Sequence, residues 1–272
     1  MTRFLICLDL DGTLLTKDKR IRWKSKHYIK KLINEGHIVT FSSGRPFRSL
    51  QRYYEELNLQ VPVVCFNGAY VFNPHDVTFP SICKRIPYQD IVNLYTNFYG
   101  TMLDSAYCEA MNNIYLDVKD PFLFFLYNPG QTKLIVSPID KTLKEDPFTC
   151  VFHFKEYTND IKERMTKYCL ENFKNTRMRF WFHNEYTECY IENVNKATGI
   201  KHVADFYNIN YDNIIVFGDA ENDIDMLESF KNSFAMKNAL DTVKKSAHFI
   251  TKKDNDHNGV IFELKRFLKK KN

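Results

Sequence analysis

The stretch FLICLDLDGTLL, residues 4–15, limits what this chain can fold into more than any other segment. It opens as an apolar run suited to a strand buried on both faces, as in a parallel sheet. It then sets Asp9 and Asp11 two positions apart, followed at once by Gly12 and Thr13. Alternate residues of a strand share a face, so a continued strand would hold two like charges side by side at its end. A fold that accepts this must supply a counter-charge there.

The sequence around that stretch alternates strand and helix. KSKHYIKKLINEG places Tyr28, Ile29, Leu32 and Ile33 at helical spacing and stops at Gly36; HIVTFSS reads as a second strand ending at Gly44-Arg45-Pro46. FRSLQRYYEEL is helical, and PVVCFNGAYVF returns as strand material, which completes a βαβαβ pattern. The last third repeats the rhythm: helix KATGIKHVADFYNI, strand NIIVFGD, helix ENDIDMLESF, short strands around NSFAM and HFIT separated by helix ALDTVKKSA, and a closing helix VIFELKRFLKK. The fold class expected is therefore α/β, a doubly wound parallel sheet.

The middle breaks the pattern. SAYCEAMNNIYLDV, FTCVFHF and RMRFWFHNEYTECYIE are strand-like, the last as a hairpin turning near His183-Asn184-Glu185, with NDIKERMTKYCLENF an amphipathic helix between strands. Such material suggests a separate α+β domain inserted into the α/β core. The expected organisation is residues 1–80 and 190–272 as the core, with 81–189 as the insert.

With 272 residues, the chain is long enough to bury roughly 70–75% of the surface its unfolded form exposes. It does not need metals or disulfides to hold a core. Seven cysteines form no CxxC pair and are odd in number, which argues against a disulfide framework and a zinc site. The net charge of +5 owes much to the terminal KRFLKKKN, and no other segment concentrates basic residues as a nucleic-acid footprint would. No apolar run approaches the ~18–20 residues of a membrane span, and the N-terminus lacks the layout of a signal peptide. The expectation is a reduced, cytoplasmic protein, with no nucleic-acid or membrane partner and an oligomeric state the sequence leaves open.

Ligands of open α/β sheets bind at the carboxyl ends of strands. There the first strand carries Asp9-Leu10-Asp11-Gly12-Thr13, the second Ser42-Ser43-Gly44-Arg45, and a late one Gly218-Asp219, with Asn222 and Asp223 opening the next helix. Asp9, Asp11, Asp219 and Asp223 would share one neighbourhood and repel without a cation. Hard oxygen ligands suit Mg²⁺, which keeps positions for water or phosphate oxygens, and the backbone N–H groups of Gly-rich turns also attract phosphate. Ser43 and Gly44 can supply a hydroxyl and a backbone donor, and Lys196 after TECYIEN is the candidate balancing cation. Taken singly, a DxDG is usually a turn, Gly-Asp before Asn-Asp can simply cap a helix, and Lys196 reads as a solvated lysine. The four together, in order and at strand ends, make the case.

DLDGTLL, FSSGRP, Lys196 and GDAENDIDML resemble the four motifs of the haloacid dehalogenase (HAD) superfamily hydrolases. FNGAYVF, AMKNA and HNGV extend the resemblance to the Cof-type subfamily IIB phosphatases. The resemblance implies that Asp9 is a nucleophile forming an aspartyl-phosphate and that Asp11 is the general acid/base. It implies Mg²⁺ held by Asp9, the Asp11 carbonyl and Asp219, and phosphate held by the Leu10 backbone, Ser43, Gly44, Lys196 and Asn222, with Asp223 supporting the site from behind. Ser43 stands where the family often has Thr, and the adjacent Ser42 competes for that role, although strand alternation should turn it away. The insert's length and place resemble the family's C2-type cap, which roofs the site and reads the organic part of the substrate.

Asp11 must be protonated for the first step of that chemistry, and crowded anionic surroundings would favour this. Arg177, Arg179, Trp181 and His183 alternate along one strand of the insert; they line a pocket or pack against its helix. Arg45 either faces the site mouth or pairs with a carboxylate. The remaining histidines, including His27, His153 and His248, show no metal spacing.

The function expected is Mg²⁺-dependent hydrolysis of a small phosphate monoester, such as a sugar, nucleotide or cofactor phosphate. The alternatives are a phosphomutase of the same superfamily and a non-enzymatic, aspartate-phosphorylated signalling module. The module would be about half as long and lack the acid beside the nucleophile.

Overall fold

The computed structural model describes residues 2–118, 120, 132–181 and 186–271. In chain order the elements are β1 (Leu5–Leu8), α1 (Trp23–Asn34), β2 (Ile38–Phe41), α2 (Phe47–Leu57), β3 (Val63–Cys65), β4 (Tyr70–Phe72) and β5 (Ile82–Cys83). Then come α3 (Tyr88–Phe98), β6 (Leu103–Glu109), β7 (Asn113–Leu116), β8 (Lys133–Val136), α4 (Ile139–Thr142), β9 (Thr149–Phe154), α5 (Asn159–Asn172), β10 (Thr176–Phe180) and β11 (Tyr186–Ile191). The chain closes with α6 (Lys196–Phe206), β12 (Ile214–Gly218), α7 (Ile224–Ser229), β13 (Asn232–Ala235), α8 (Asp241–Lys245), β14 (Phe249–Ile250) and α9 (Gly259–Lys271). No helix among the described residues is long and apolar enough to cross a membrane.

The chain divides into two compact units, Met1–Cys83 with Asn195–Asn272, and Lys84–Val194. The larger unit is α/β. Its main sheet runs β14-β13-β12-β1-β2, with every pair parallel. β1 lies between β12 and β2, with Leu5 opposite both Ile214 and Ile38, and all three strands are buried along their length. The chain leaves β1 on one side to reach β2 and fills the other side only from β12 onward. Strand order therefore reverses at β1, which is where an open sheet forms its ligand crevice.

The third strand of the expected βαβαβ departs from the reading. Among the described residues β3 is joined to the main sheet by a single isolated bridge, Ser42–Val64, and it pairs antiparallel with β4, which pairs with β5. The cause is local: Phe66, Asn67 and Gly68 all take positive φ, at 49°, 53° and 97°. The backbone reverses there, so PVVCFNGAYVF is a hairpin rather than one strand.

The inserted unit is α+β, with a six-stranded sheet in the order β10-β11-β9-β6-β7-β8. Among the described residues only β7 and β8 pair parallel there. One face packs with α3 and α5 through Ile91, Leu94, Phe98, Met165 and Cys169. The other gathers Tyr107, Ile114, Leu116 and Val151 with Leu134, Trp181 and Tyr186. Helix α3 is an element that the sequence pattern does not predict, and SAYCEAMNNIYLDV is two strands rather than one strand-like piece. The turn at His183-Asn184-Glu185 lies outside the described residues, and the strands flanking it pair from Thr176–Ile191 to Phe180–Thr187.

Candidate active site

The carboxyl end of β1 continues into a tight loop rather than more strand. Leu14 N–H donates to the Asp9 carbonyl and Leu15 N–H to that of Leu10, at 3.3 and 2.8 Å. Asp11 keeps extended dihedrals and Gly12 takes φ +73°, so the two aspartates leave the strand in different directions. Gly12 is required twice over. Its φ is left-handed, and a Cβ there would lie 2.1 Å from Asp219 Oδ2.

Asp9 meets the counter-charge its position demands. Lys196, at the N-terminus of α6, donates from Nζ to Asp9 Oδ1 at 2.7 Å and to Asp223 Oδ1 at 2.6 Å. The side chains of Lys196 and Asp223 are 0% exposed and that of Asp9 8%. Asn195 fixes the start of α6 through a reciprocal cap with Thr198. The other Asp223 oxygen accepts from the backbone N–H groups of Asp219 and Ala220, at 2.9 and 3.0 Å. Thr13 Oγ1 donates to Asp219 Oδ1 at 2.7 Å. Carboxylate oxygens of Asp9, Asp219 and Asp223 lie within 4.8 Å of one another, a set that could hold a cation.

Burial pushes the Asp9 carboxyl up against the pull of Lys196, and Asp223 and Asp219 add to the push. Burial works to lower Lys196, yet Asp223 and Asp9 outweigh it and hold the ammonium charged. A neutral Asp9 would leave Lys196 with Asp223 alone, so the 2.7 Å contact favours the ionised pair. Asp219 is pushed up to about 7, first by burial and then by Asp223, with Thr13 and Lys196 opposing.

Asp11 corrects the expectation of anionic surroundings. Its carboxylate faces cations: Arg45 donates Nε to Oδ2 at 2.5 Å and Nη2 to Oδ1 at 2.7 Å, and Lys19 Nζ reaches Oδ1 at 2.5 Å. Burial raises its pKa, but Arg45 and then Lys19 more than reverse this and hold the carboxyl at about 2. Arg45 thus takes the carboxylate-pairing role of its two options.

The remaining predicted residues gather around the β2 end. Ser43 is buried, and its Oγ accepts from Arg45 N–H at 3.2 Å. Ser42 is fully buried and its hydroxyl has no hydrogen-bond partner in the structure. Asn222 donates from Nδ2 to Asn67 Oδ1 at 2.9 Å, and a Cβ on Gly44 would lie 3.1 Å from Asn67 Oδ1 and 3.4 Å from Asn222 Nδ2. Leu10 is fully buried.

Thr13, Asn67, Asn238 and Asn255 carry no role in the sequence reading. Asn238 Nδ2 donates to the Gly12 carbonyl and Asn255 Nδ2 to that of Leu15, both at 2.8 Å. Asn67 and Asn238 sit in FNGAYVF and AMKNA, so the signal lay in the segments that carried the subfamily resemblance.

In the inserted unit, Arg177 pairs with Glu192 at 2.8 Å. Arg179 lies 3.6 Å from Glu188 and stacks 4.9 Å above the Tyr190 ring. Trp181 packs with Tyr186 on the sheet face away from the helices; Met178 and Phe180 take the helix side. Among the described residues Trp181 thus lies on the face opposite the one that packs with the insert's helices. His183 lies outside the described residues. His153 pairs with Asp104 at 2.6 Å, and His248 with Ser233 at 3.1 Å.

Residues 6–264 match the family model of haloacid dehalogenase-like hydrolases. The chain belongs to that family. It is 33% identical over 266 residues to a Bacillus subtilis 5-amino-6-(5-phospho-D-ribitylamino)uracil phosphatase, covering 97% of each chain. A second B. subtilis phosphatase with the same stated substrate is 24% identical, again with 97% of each chain covered. Among solved structures, a haloacid dehalogenase-like hydrolase from Bacteroides thetaiotaomicron aligns with a TM-score of 0.78 at 19% identity, over 98% of this chain and 100% of its own. A Thermotoga maritima protein aligns at 0.76 and 23%, over 97% of each chain. Family and relatives together make the chain an enzyme, a phosphoric monoester hydrolase.

Proposed function

We propose that this enzyme is a Mg²⁺-dependent phosphatase of small phosphate monoesters that works through an aspartyl-phosphate on Asp9. The observation that carries this reading is the fully buried Lys196 ammonium bridging Asp9 and Asp223. A buried cation beside a strand-end carboxylate lets that carboxylate approach a phosphate dianion, and phosphoryl transfer is mostly positioning plus charge stabilisation.

In this reading an Asp9 oxygen attacks phosphorus while the bond to the leaving oxygen breaks, and Asp11 gives that oxygen a proton. Asp11 then takes a proton from water, which attacks the phosphorus and returns Asp9 as carboxylate with release of orthophosphate. Asp11 is tied as a carboxylate to Arg45 and Lys19, so it must release them and take up a proton from solvent before it can protonate the leaving oxygen. Leu10, Ser43, Gly44, Lys196 and Asn222 hold the phosphate. Asp223 orients Lys196 and, through its two backbone donors, the chain at Asp219.

The donor set fits Mg²⁺: hard carboxylate oxygens, clustered, beside a glycine whose missing Cβ leaves room next to Asp219. Asp9, Asp219 and the Asp11 carbonyl would hold the ion, which would supply Lewis-acid stabilisation of the phosphoryl oxygens. The inserted unit would serve as a C2-type cap. The first substrate to test is 5-amino-6-(5-phospho-D-ribitylamino)uracil, because the 33%-identical relative is named for it.

The test is orthophosphate release from that compound and from a panel of sugar and nucleotide phosphates, with Mg²⁺ and with a chelator. Mg²⁺-dependent release supports the reading, and the ranking of substrates identifies the class. An isomerised ester in place of orthophosphate would move it to a phosphomutase, and no turnover of any kind would overturn it.

A further inference from the structure

The turn Phe66–Gly68 touches three of the four loops that build the site, although none of its residues has an assigned role. Asn67 N–H donates to the Ser43 carbonyl at 3.0 Å, and Phe66 N–H to that of Arg45 at 3.2 Å, which ties the turn to the β2 loop. Asn67 Oδ1 accepts from Asn222 Nδ2 at 2.9 Å, which ties it to the loop after β12. A Cβ on Gly68 would lie 2.1 Å from the Asn195 carbonyl oxygen, so the turn also abuts the residue before Lys196.

The conformation is an expensive one. Three consecutive residues have positive φ, and the first is Phe66, a bulky side chain that rarely adopts it. Local strain of this kind persists where the surroundings over-determine it, and it clusters at functional sites. What it achieves here is visible: it aims the Asn67 side chain, 9% exposed, at Asn222 and alongside Gly44.

We propose that Asn67 is a positioning residue for phosphate. Its Oδ1 holds Asn222 in one rotamer, so that the Asn222 amide and the Gly44 backbone are set before the phosphate arrives. The role rests on the phosphatase reading for its ligand, and on the structure alone for the Asn67–Asn222 contact.

The variant to use is Asn67→Gly, since glycine adopts φ 53° without strain and only the side chain is lost. In the free protein, side-chain amide NMR of Asn222 reads the contact directly. Asn67→Gly should shift that NH₂ resonance and speed its exchange while the melting temperature stays within a few degrees. In phosphate release, KM should rise roughly three- to tenfold, the size of one net hydrogen bond, with kcat less affected. Orthophosphate binding by calorimetry should weaken by the same factor. Asn222→Ala combined with Asn67→Gly should cost no more than Asn222→Ala alone, because one residue acts through the other.

An unchanged Asn222 resonance, or additive effects on KM and orthophosphate affinity, would overturn the proposal. Wild-type protein that binds no orthophosphate would overturn the phosphate role and the phosphatase reading together. The NMR comparison would still decide whether Asn67 holds Asn222.

Discussion

Lys196 sits between two carboxylates with none of its surface exposed, and this pairing answers the charge problem set by Asp9. Removing one partner of a buried pair leaves the other charges uncompensated. Lys196→Met is therefore expected to destabilise the fold by about 3–5 kcal/mol, read by urea unfolding, and to abolish phosphate release. Asp219 carries a pH signature. Its folded-state pKa lies at about 7, above the ordinary ~3.9, so the folded protein binds a proton that the unfolded chain has lost. Stability from this group is present below pH ~4 and is lost as pH rises to about 7 in the metal-free protein. Protons compete with a cation for the same oxygens, so Mg²⁺ affinity by calorimetry should tighten from pH 5 to 7 and then level off. A pH-independent affinity would remove Asp219 from the metal site. The positions of Asp9, Asp219, Asp223 and Lys196 were legible because each ends a strand or opens a helix. The direction of the Asp11 side chain was not, because it depends on Gly12 turning the chain and on Arg45 and Lys19 arriving from distant elements.

At the scale of elements, the strands of the main sheet were readable from apolar runs bounded by turn residues. β1, β2 and β12 fall where LICL, IVTF and IIVFG place them. The hairpin at β3–β4 was not, since its signal is a left-handed backbone at Phe66 and Asn67 that no hydrophobic pattern encodes. Helix α3 was hidden because YQDIVNLYTNF mixes β-branched and aromatic residues with its helical spacing, and these suit a strand equally. The turn makes its own prediction. Gly68→Ala combines φ +97° with a Cβ 2.1 Å from the Asn195 carbonyl, so it should destabilise the larger unit by at least ~1–3 kcal/mol and reduce activity by displacing the start of α6. Full activity with unchanged stability would show that the backbone there yields freely.

For the whole molecule, the α/β class and the presence of strand-rich material in the middle were legible from the order of periodic segments. The divisions between units fall at Cys83/Lys84 and Val194/Asn195; the expected break at 189/190 lies inside β11, and a paired strand cannot be split between units. Each unit has its own apolar cluster. Leu94→Ala, in the core of the inserted unit, should cost about 2–5 kcal/mol, with Trp181 fluorescence as the probe. The central claim for the molecule is that Asp9 is the nucleophile. The most direct measurement compares orthophosphate release by wild type and Asp9→Asn at saturating Mg²⁺, with orthophosphate binding measured on both. With Asp9 as nucleophile, Asn at position 9 lowers kcat at least ~10³-fold while the variant stays folded and still binds orthophosphate. A folded Asp9→Asn variant that turns over within tenfold of wild type would contradict it.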